Sequence, residues 1–178
     1  MSKGGDDVGE SVSIEDWFIK YEKDITSFLV YYTGTIDVED LVQDTFLIAM
    51  KQISNFRSES NPKTWLISIA RNKIIDHYRR KKVWDRIKGL LSSEPTVSAP
   101  IDAQMILNDD ISYLTKAISQ LPAKYKEIVI LRGILELSPE ETATILRSSR
   151  NQVNVMYHRS LKKLKEILEQ EGYRYERA

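Results

Sequence analysis

Groups able to do covalent chemistry are few among these 178 residues, and their spacing does not gather them. The two histidines, His77 and His158, fall in separate predicted domains, and no glycine-rich loop offers backbone amides to a phosphate. Carboxylates and histidines do not recur at metal-ligand spacing. No catalytic residue, metal, cofactor or small-molecule substrate is therefore expected. The chain has no cysteine, which excludes disulfides and zinc thiolates and is compatible with a reducing cytoplasm. What remains is the chemistry of recognition, carried by stripes of acidic, basic and amide side chains.

Three such groups stand out. Glu39, Asp40, Gln43, Asp44 and Leu47 share one face of a helix whose other face is Val38, Leu41, Val42, Thr45, Ala49 and Ile53. An acidic first turn is also favoured by the helix dipole, so stability alone accounts for part of this pattern. Further on, Arg71, Lys73, Arg79, Arg80, Lys81 and Lys82 form a phosphate-attracting stripe, for which cations decorating a helix C-terminus are the plain alternative. Within it, Asn72 near the Phe56 loop offers a polar reader beside an aromatic wall, which is what a flipped single-stranded base requires. For Trp65, simple core packing is the better assignment.

The third group is the most specific. Ser138 to Leu146 and Asn151 to Lys163 are two helical segments separated by a short polar turn, and they read as a helix-turn-helix. With Thr142, Ala143, Leu146, Val153, Tyr157 and Leu161 or Leu164 facing inward, the outer face holds Arg150, Asn151, Asn154, Val155, His158, Arg159 and Lys162. Asparagine pairs with adenine edges, arginine with guanine or phosphate, and valine meets a thymine methyl in the major groove. The competing reading is an antiparallel helix pair with a solvated face.

The elements that position these groups are helical throughout, because apolar residues recur at three and four spacing without sustained alternation. Ser13 and Asp16 open a helix that Thr33-Gly34-Thr35 ends near Tyr32; further helices are expected from Asp37 to Ile53 and from Lys63 or Thr64 to Lys82. Gly89, Ser92-Ser93, Pro95, Ser98 and Pro100 mark a flexible linker. Beyond it, helices are predicted at Asn108 to Gln120, Ala123 to Leu135, Pro139 to Leu146 and Asn151 to Gln170. The expectation is an all-α chain of two small helical domains: a disordered start at 1–12, a first domain at 13–84, a linker at 85–107 and a second domain at 108–172. The polar, glycine-rich start and the short apolar runs give no sign of a signal peptide or membrane span.

Net charge is zero, from 26 basic and 26 acidic residues, which on its face argues against a nucleic-acid binder. The average conceals a dipole. Residues 1–50 hold eleven acidic against three basic side chains, and residues 51–90 hold eleven basic against three acidic. Ordinary solvated helix faces account for this as well as a protein with one face for nucleic acid and another for a basic protein partner.

The order of these segments carries a resemblance. Asp37-Val38-Glu39-Asp40-Leu41-Val42-Gln43-Asp44-Thr45-Phe46, then Thr64-Trp65-Leu66 with Ile69-Ala70-Arg71-Asn72, then Leu121-Pro122 and a helix-turn-helix ending Tyr157-His158-Arg159-Ser160, is similar to the extracytoplasmic-function sigma factors of the sigma-70 family. The resemblance spans about Trp17 to Leu168. It implies that the domains are a sigma region 2 bundle and a sigma region 4 helix-turn-helix, in a cytoplasmic protein that binds core RNA polymerase and promoter DNA. Glu39, Asp40, Gln43, Asp44 and Leu47 then dock on the polymerase clamp helices. Phe56, Arg57, Lys63, Thr64, Trp65, Arg71, Asn72, Lys73, Arg79 and Arg80 meet the downstream promoter element, with Asn72 at a captured base. Arg150, Asn151, Asn154, Val155, His158, Arg159 and Lys162 meet the upstream element. Such factors are commonly held inactive by an anti-sigma factor, often membrane-anchored. A free-standing helix-turn-helix regulator acting without polymerase is the alternative, and it leaves the acidic helix and Thr64 to Lys82 without roles. The chain departs from the family at the turn Leu146-Arg147-Ser148-Ser149, where a glycine is usual, and at Asn151-Gln152-Val153 and Asn154-Val155-Met156. The family's base preference does not carry over.

Overall fold

The computed structural model describes residues 13–56, 61–91 and 109–170, all in helices or short connections. The expected disordered start at 1–12, Arg57 and residues 92–108 of the linker region lie outside the described residues.

The first body contains α1 (Ile14–Thr33), α2 (Glu39–Gln52) with a single 3-10 turn after it (Ile53–Asn55), and α3 (Pro62–Leu91). Ser13 caps α1, its Oγ accepting the Asp16 N–H at 3.5 Å. Gly34 ends the helix at φ +78°, where a side chain is disfavoured, and its N–H donates to the Val30 carbonyl at 2.8 Å. The inward stripe of α1 is Trp17, Ile25, Phe28, Leu29 and Tyr32. On α2 the expected stripe is buried at Val42, Thr45 and Ala49, and Phe46 joins it.

Helix α3 begins at Pro62, where a missing N–H costs nothing, and the Asn61 Oδ1 accepts the Lys63 N–H at 2.9 Å. It runs on to Leu91, past the end at Lys82 read from its sequence, so residues 85–91 of the expected linker are helical. The physical reason is that 83–91 contain no proline, and a single Gly89 costs only about 1 kcal/mol in a helix, too little to stop one.

The second body contains α4 (Asp109–Ser119), α5 (Ala123–Val129), α6 (Pro139–Leu146) and α7 (Arg150–Gln170). Where one helix from Ala123 to Leu135 is expected, α5 passes at Val129 into a π turn, Ile130–Ile134. That turn is closed by the Leu135 N–H on the Ile130 carbonyl at 2.9 Å. It sets the Arg132 guanidinium over the Tyr157 ring at 5.2 Å, tying α5 to α7.

Both bodies share one core. α3 packs against α6, and α1 against α4 and the π turn. The buried cluster runs without a break from Trp17 through Leu66, Ile67 and Ile74 to Ile118, Leu131 and Leu168. Each such side chain contributes roughly 1.5–3 kcal/mol of burial.

Candidate nucleic-acid interface

On α2 the structure brings the acidic group to the surface: Glu39, Asp40, Gln43 and Leu47 are exposed, and Gln43 Nε2 donates to Glu39 Oε1 at 3.3 Å. Asp44 is half-buried, because its carboxylate pairs with Lys73 Nζ at 2.8 Å and so joins α2 to α3. Beside Leu47 the structure adds a shallow apolar groove of about 300 Å³, lined by Ile14, Phe18, Phe46, Leu47 and Met50. Phe18 and Met50 are not among the residues singled out from sequence. Their four-residue spacing from Ile14 and three-residue spacing from Leu47 are the local signal for them.

The group on and before α3 divides. Phe56 and Trp65 form an edge-on ring cluster with Trp17, with centroids 4.7 to 5.8 Å apart, so both serve the core. Trp65 nevertheless stays half-exposed, and Asn72, seven residues on, shares its helix face and is exposed. Thr64 is buried at 3 % exposure, and Lys63 pairs with Asp24 at 2.8 Å. Arg79 lies at 3.5 Å from Asp76, both well exposed, and Arg80 is exposed.

On the second body, α6 starts with a reciprocal cap. Ser138 Oγ accepts the Glu141 N–H at 3.1 Å, and Glu141 Oε2 accepts the Ser138 N–H at 2.8 Å. α6 ends at Arg147 with φ +50°, a left-handed position in a turn where glycine is the easier residue. Ser149 and Gln152 then cap α7: Ser149 Oγ accepts the Gln152 N–H at 3.2 Å, and Gln152 Oε1 accepts from Ser148 Oγ at 2.8 Å. Gln152 thus serves the fold at the start of the recognition helix. Inward are Val153, Ser160 and Leu164, which resolves the choice between Leu161 and Leu164 in favour of the latter. Outward, Asn151, Val155, His158, Arg159 and Lys162 are exposed and Asn154 is half-buried. Arg150 Nε is paired with Glu140 at 3.0 Å on the surface.

Between the bodies lies a set of polar contacts that sequence spacing did not suggest. Glu127, 6 % exposed, receives the Tyr32 hydroxyl on Oε1 at 3.3 Å and Arg71 Nη2 on Oε2 at 3.0 Å. Lys126 Nζ donates to the Tyr32 carbonyl at 3.3 Å. Glu141, besides capping α6, accepts from Asn61 Nδ2 at 3.2 Å and from the Thr64 hydroxyl at 3.4 Å. Burial, then the adjacent Glu127 charge, pushes the Tyr32 hydroxyl up to about 12. Burial likewise lowers Lys126 from its ordinary value. For Glu141 burial acts upward, but hydrogen bonds from Ser138 and Thr64 and the charge of Lys63 outweigh it and hold the carboxyl below its usual range. Above these contacts opens a cleft of about 590 Å³, with Arg71, Lys124 and Glu127 on one side and Asn151, Val155 and Arg159 of α7 on the other. Among the described residues no cluster of three or more His, Asp or Glu side chains could hold a metal, and no helix is long and apolar enough to cross a membrane.

Comparison with known proteins aligns with this architecture. The family profile of Sigma-70 region 2 matches residues 17–83, and that of Sigma-70, region 4 matches residues 111–164. The chain is 31% identical over 156 residues to the RNA polymerase sigma factor YlaC of Bacillus subtilis, covering 86% of this chain and 90% of that protein. It is 30% identical to the ECF RNA polymerase sigma factor SigX of the same organism, over 84% of this chain and 80% of that one. Among solved structures, the sigma factor RpoE in complex with the anti-sigma factor NepR from Bartonella quintana superposes with a TM-score of 0.73 at 26% identity, covering 87% of this chain and 96% of that one.

Proposed function

The chain belongs to the extracytoplasmic-function sigma factors of the sigma-70 family, and we propose that it binds core RNA polymerase and directs promoter-specific initiation by reading two promoter elements and aiding melting. The single observation that carries this reading is that both family regions occur in order along one chain and correspond to its two helical bodies. The two proposed domains, 13–84 and 108–172, divide the work between them. A free-standing helix-turn-helix regulator accounts for the second body only and leaves residues 17–83 without a role.

The residue assignments follow from exposure and chemistry. Glu39, Asp40, Gln43 and Leu47 present an acidic face with an apolar groove beside it, suited to a basic helical partner with an apolar ridge such as the polymerase clamp. Asn72 with the half-exposed Trp65 edge supports capture of an unstacked base, while Arg79 and Arg80 supply phosphate contacts. Asn151, Val155, His158, Arg159 and Lys162 support insertion of α7 into a major groove. The factor makes and breaks no bond; it acts in the cytoplasm by stabilising the open promoter over the closed one. By analogy with the RpoE complex, an anti-sigma factor is its proposed regulator.

Co-purification tests the reading. The chain is expected to travel with core polymerase through gel filtration at moderate salt. Elution as a separate species, together with tight binding to duplex DNA, would instead support the regulator.

A further inference from the structure

Two exposed apolar faces at opposite ends of the first body carry opposite charge. The groove between α1 and α2 is walled by Ile14 and Phe18 on one side and by Phe46, Leu47 and Met50 on the other, and Phe18, Leu47 and Met50 are exposed. Its rim is acidic: exposed Glu15 lines it, and Gln43 in its wall is bonded to exposed Glu39, with Asp40 three residues before Gln43 on the same face. At the far end of α3, past the half-buried Tyr78, every described side chain from Arg79 to Ile87 is exposed. Val83, Trp84 and Ile87, at three and four spacing, form an apolar stripe there, with Trp84 at 63 % exposure. Arg79, Lys82 and Arg86 form a second stripe beside it, and residues 79–88 hold six cations and one acid. Trp84 and Ile87 lie past the residues 17–83 that match Sigma-70 region 2. The tip cannot fill the groove of its own chain. Trp17, next to Phe18, stands 5.8 Å from Trp65 at the start of α3, and Trp84 is nineteen residues further on, about 28 Å along a helix.

We propose that the chain self-associates head to tail, the basic, apolar tip of α3 from Arg79 to Ile87 seating in the acid-rimmed groove between α1 and α2 of a second copy. Val83, Trp84 and Ile87 supply the ridge of a helix-in-groove contact, and the cations around them stand opposite Glu15, Glu39 and Asp40. A second copy accounts for both faces at once. A nucleic-acid phosphate gives no reason for exposed Trp84 and Ile87, and a lipid surface gives the acid-rimmed groove no role. Because tip and groove are different surfaces, the contact is heterologous and repeats into longer oligomers. It is small, in the weak class below about 1,200 Å² in total, so association belongs to the micromolar range and weakens with salt. The groove is also the face proposed above for core polymerase, so an oligomer presents that face only at its free end. That consequence rests on the polymerase reading; the self-association does not.

Sedimentation velocity of the full chain, from about 5 to about 200 µM at low salt, reads the assembly. The wild-type chain is expected to form a concentration-dependent series of oligomers. Trp84→Glu places an acid on the tip and Leu47→Lys a cation in the groove, and each is expected to weaken self-association at least about tenfold through like-charge repulsion. An equimolar mixture of the two restores association and stops at dimers, because it holds one intact tip and one intact groove per pair. A wild-type chain that stays monomeric throughout, or a mixture no more associated than either variant alone, would overturn the proposal. A monomeric chain that instead floats with vesicles of equimolar phosphatidylglycerol and phosphatidylcholine, and ceases to do so as Trp84→Glu, would assign the tip to a lipid surface and overturn it too. Should either variant not fold by circular dichroism, Trp84→Ser and Leu47→Ser, which only shorten exposed side chains, must each weaken self-association by a smaller factor. Polymerase binding is read separately by the co-purification above, so failure of one reading leaves the other standing.

Discussion

On α2, Glu39, Asp40, Gln43 and Leu47 lie open to solvent, whereas on α3 of the same body Arg71 and Thr64 are tied to carboxylates more than fifty residues away in sequence. The first face needs no rearrangement to meet a partner. The second already holds carboxylate partners, Glu127 and Glu141. The contrast is one of availability: α2 presents its polar groups to solvent, while Arg71 and Thr64 already have partners in the second body. It also separates two kinds of ion pair. Arg71 with Glu127 is largely desolvated, and removing one partner strands the other, while Arg79 with Asp76 sits in water where pairing is worth little.

The largest expected effect breaks the contrast on α3 itself. Glu127→Ala should cost about 3 kcal/mol of unfolding free energy in urea, and Asp76→Ala less than about 0.5 kcal/mol. Equal costs would mean that the interdomain contact is no more specific than a surface pair. Next, Asp40→Arg should weaken association with core polymerase by roughly ten- to a hundredfold, or about 1.4–2.8 kcal/mol, with helical content unchanged. Glu127→Ala, by contrast, should leave that association within about threefold, and surface plasmon resonance on immobilised core polymerase compares the two.

A pH titration probes the contact between the bodies without mutation. Tyr32 keeps its proton in the folded chain to about pH 12, against an ordinary value of 10.0, so the unfolded chain binds fewer protons across that window. Its contribution is therefore complete below pH 10 and declines as pH rises toward 12, by on the order of 2 kcal/mol. Tyr32→Phe should flatten that part of the stability profile. Glu141 has the opposite sign: its carboxyl is held below 4.5, so its contribution is present above that value and is lost as pH falls through the depressed one. A modest gain is expected from Arg147→Gly, which relieves the left-handed backbone at φ +50° and should raise stability by about 1 kcal/mol in urea unfolding.

Much of the fold was legible because the signals are local. Ser13 with Asp16, Gly34, and Ser138 with Pro139 each mark a helix end through bonds spanning three or four residues, and all three stand where the sequence places them. The outward stripes of α2 and α7 were legible for the same reason, since helical spacing alone sorts faces. The contacts of Arg71 with Glu127 and of Thr64 with Glu141 were not. They join residues 56 and 77 positions apart, and nothing near Glu127 distinguishes it from the other carboxylates until the second body is docked on the first. The run of α3 to Leu91 was missed because Gly89 reads as a linker residue, although one glycine does not outweigh the good helix formers around it.

The central claim is tested most directly by mapping transcription start sites on a genomic DNA library with purified core polymerase, with and without the chain. The account predicts a discrete set of new starts that share two upstream elements and disappear with Asp40→Arg. A start pattern identical to that of core polymerase alone, in a chain shown to be folded, would contradict it.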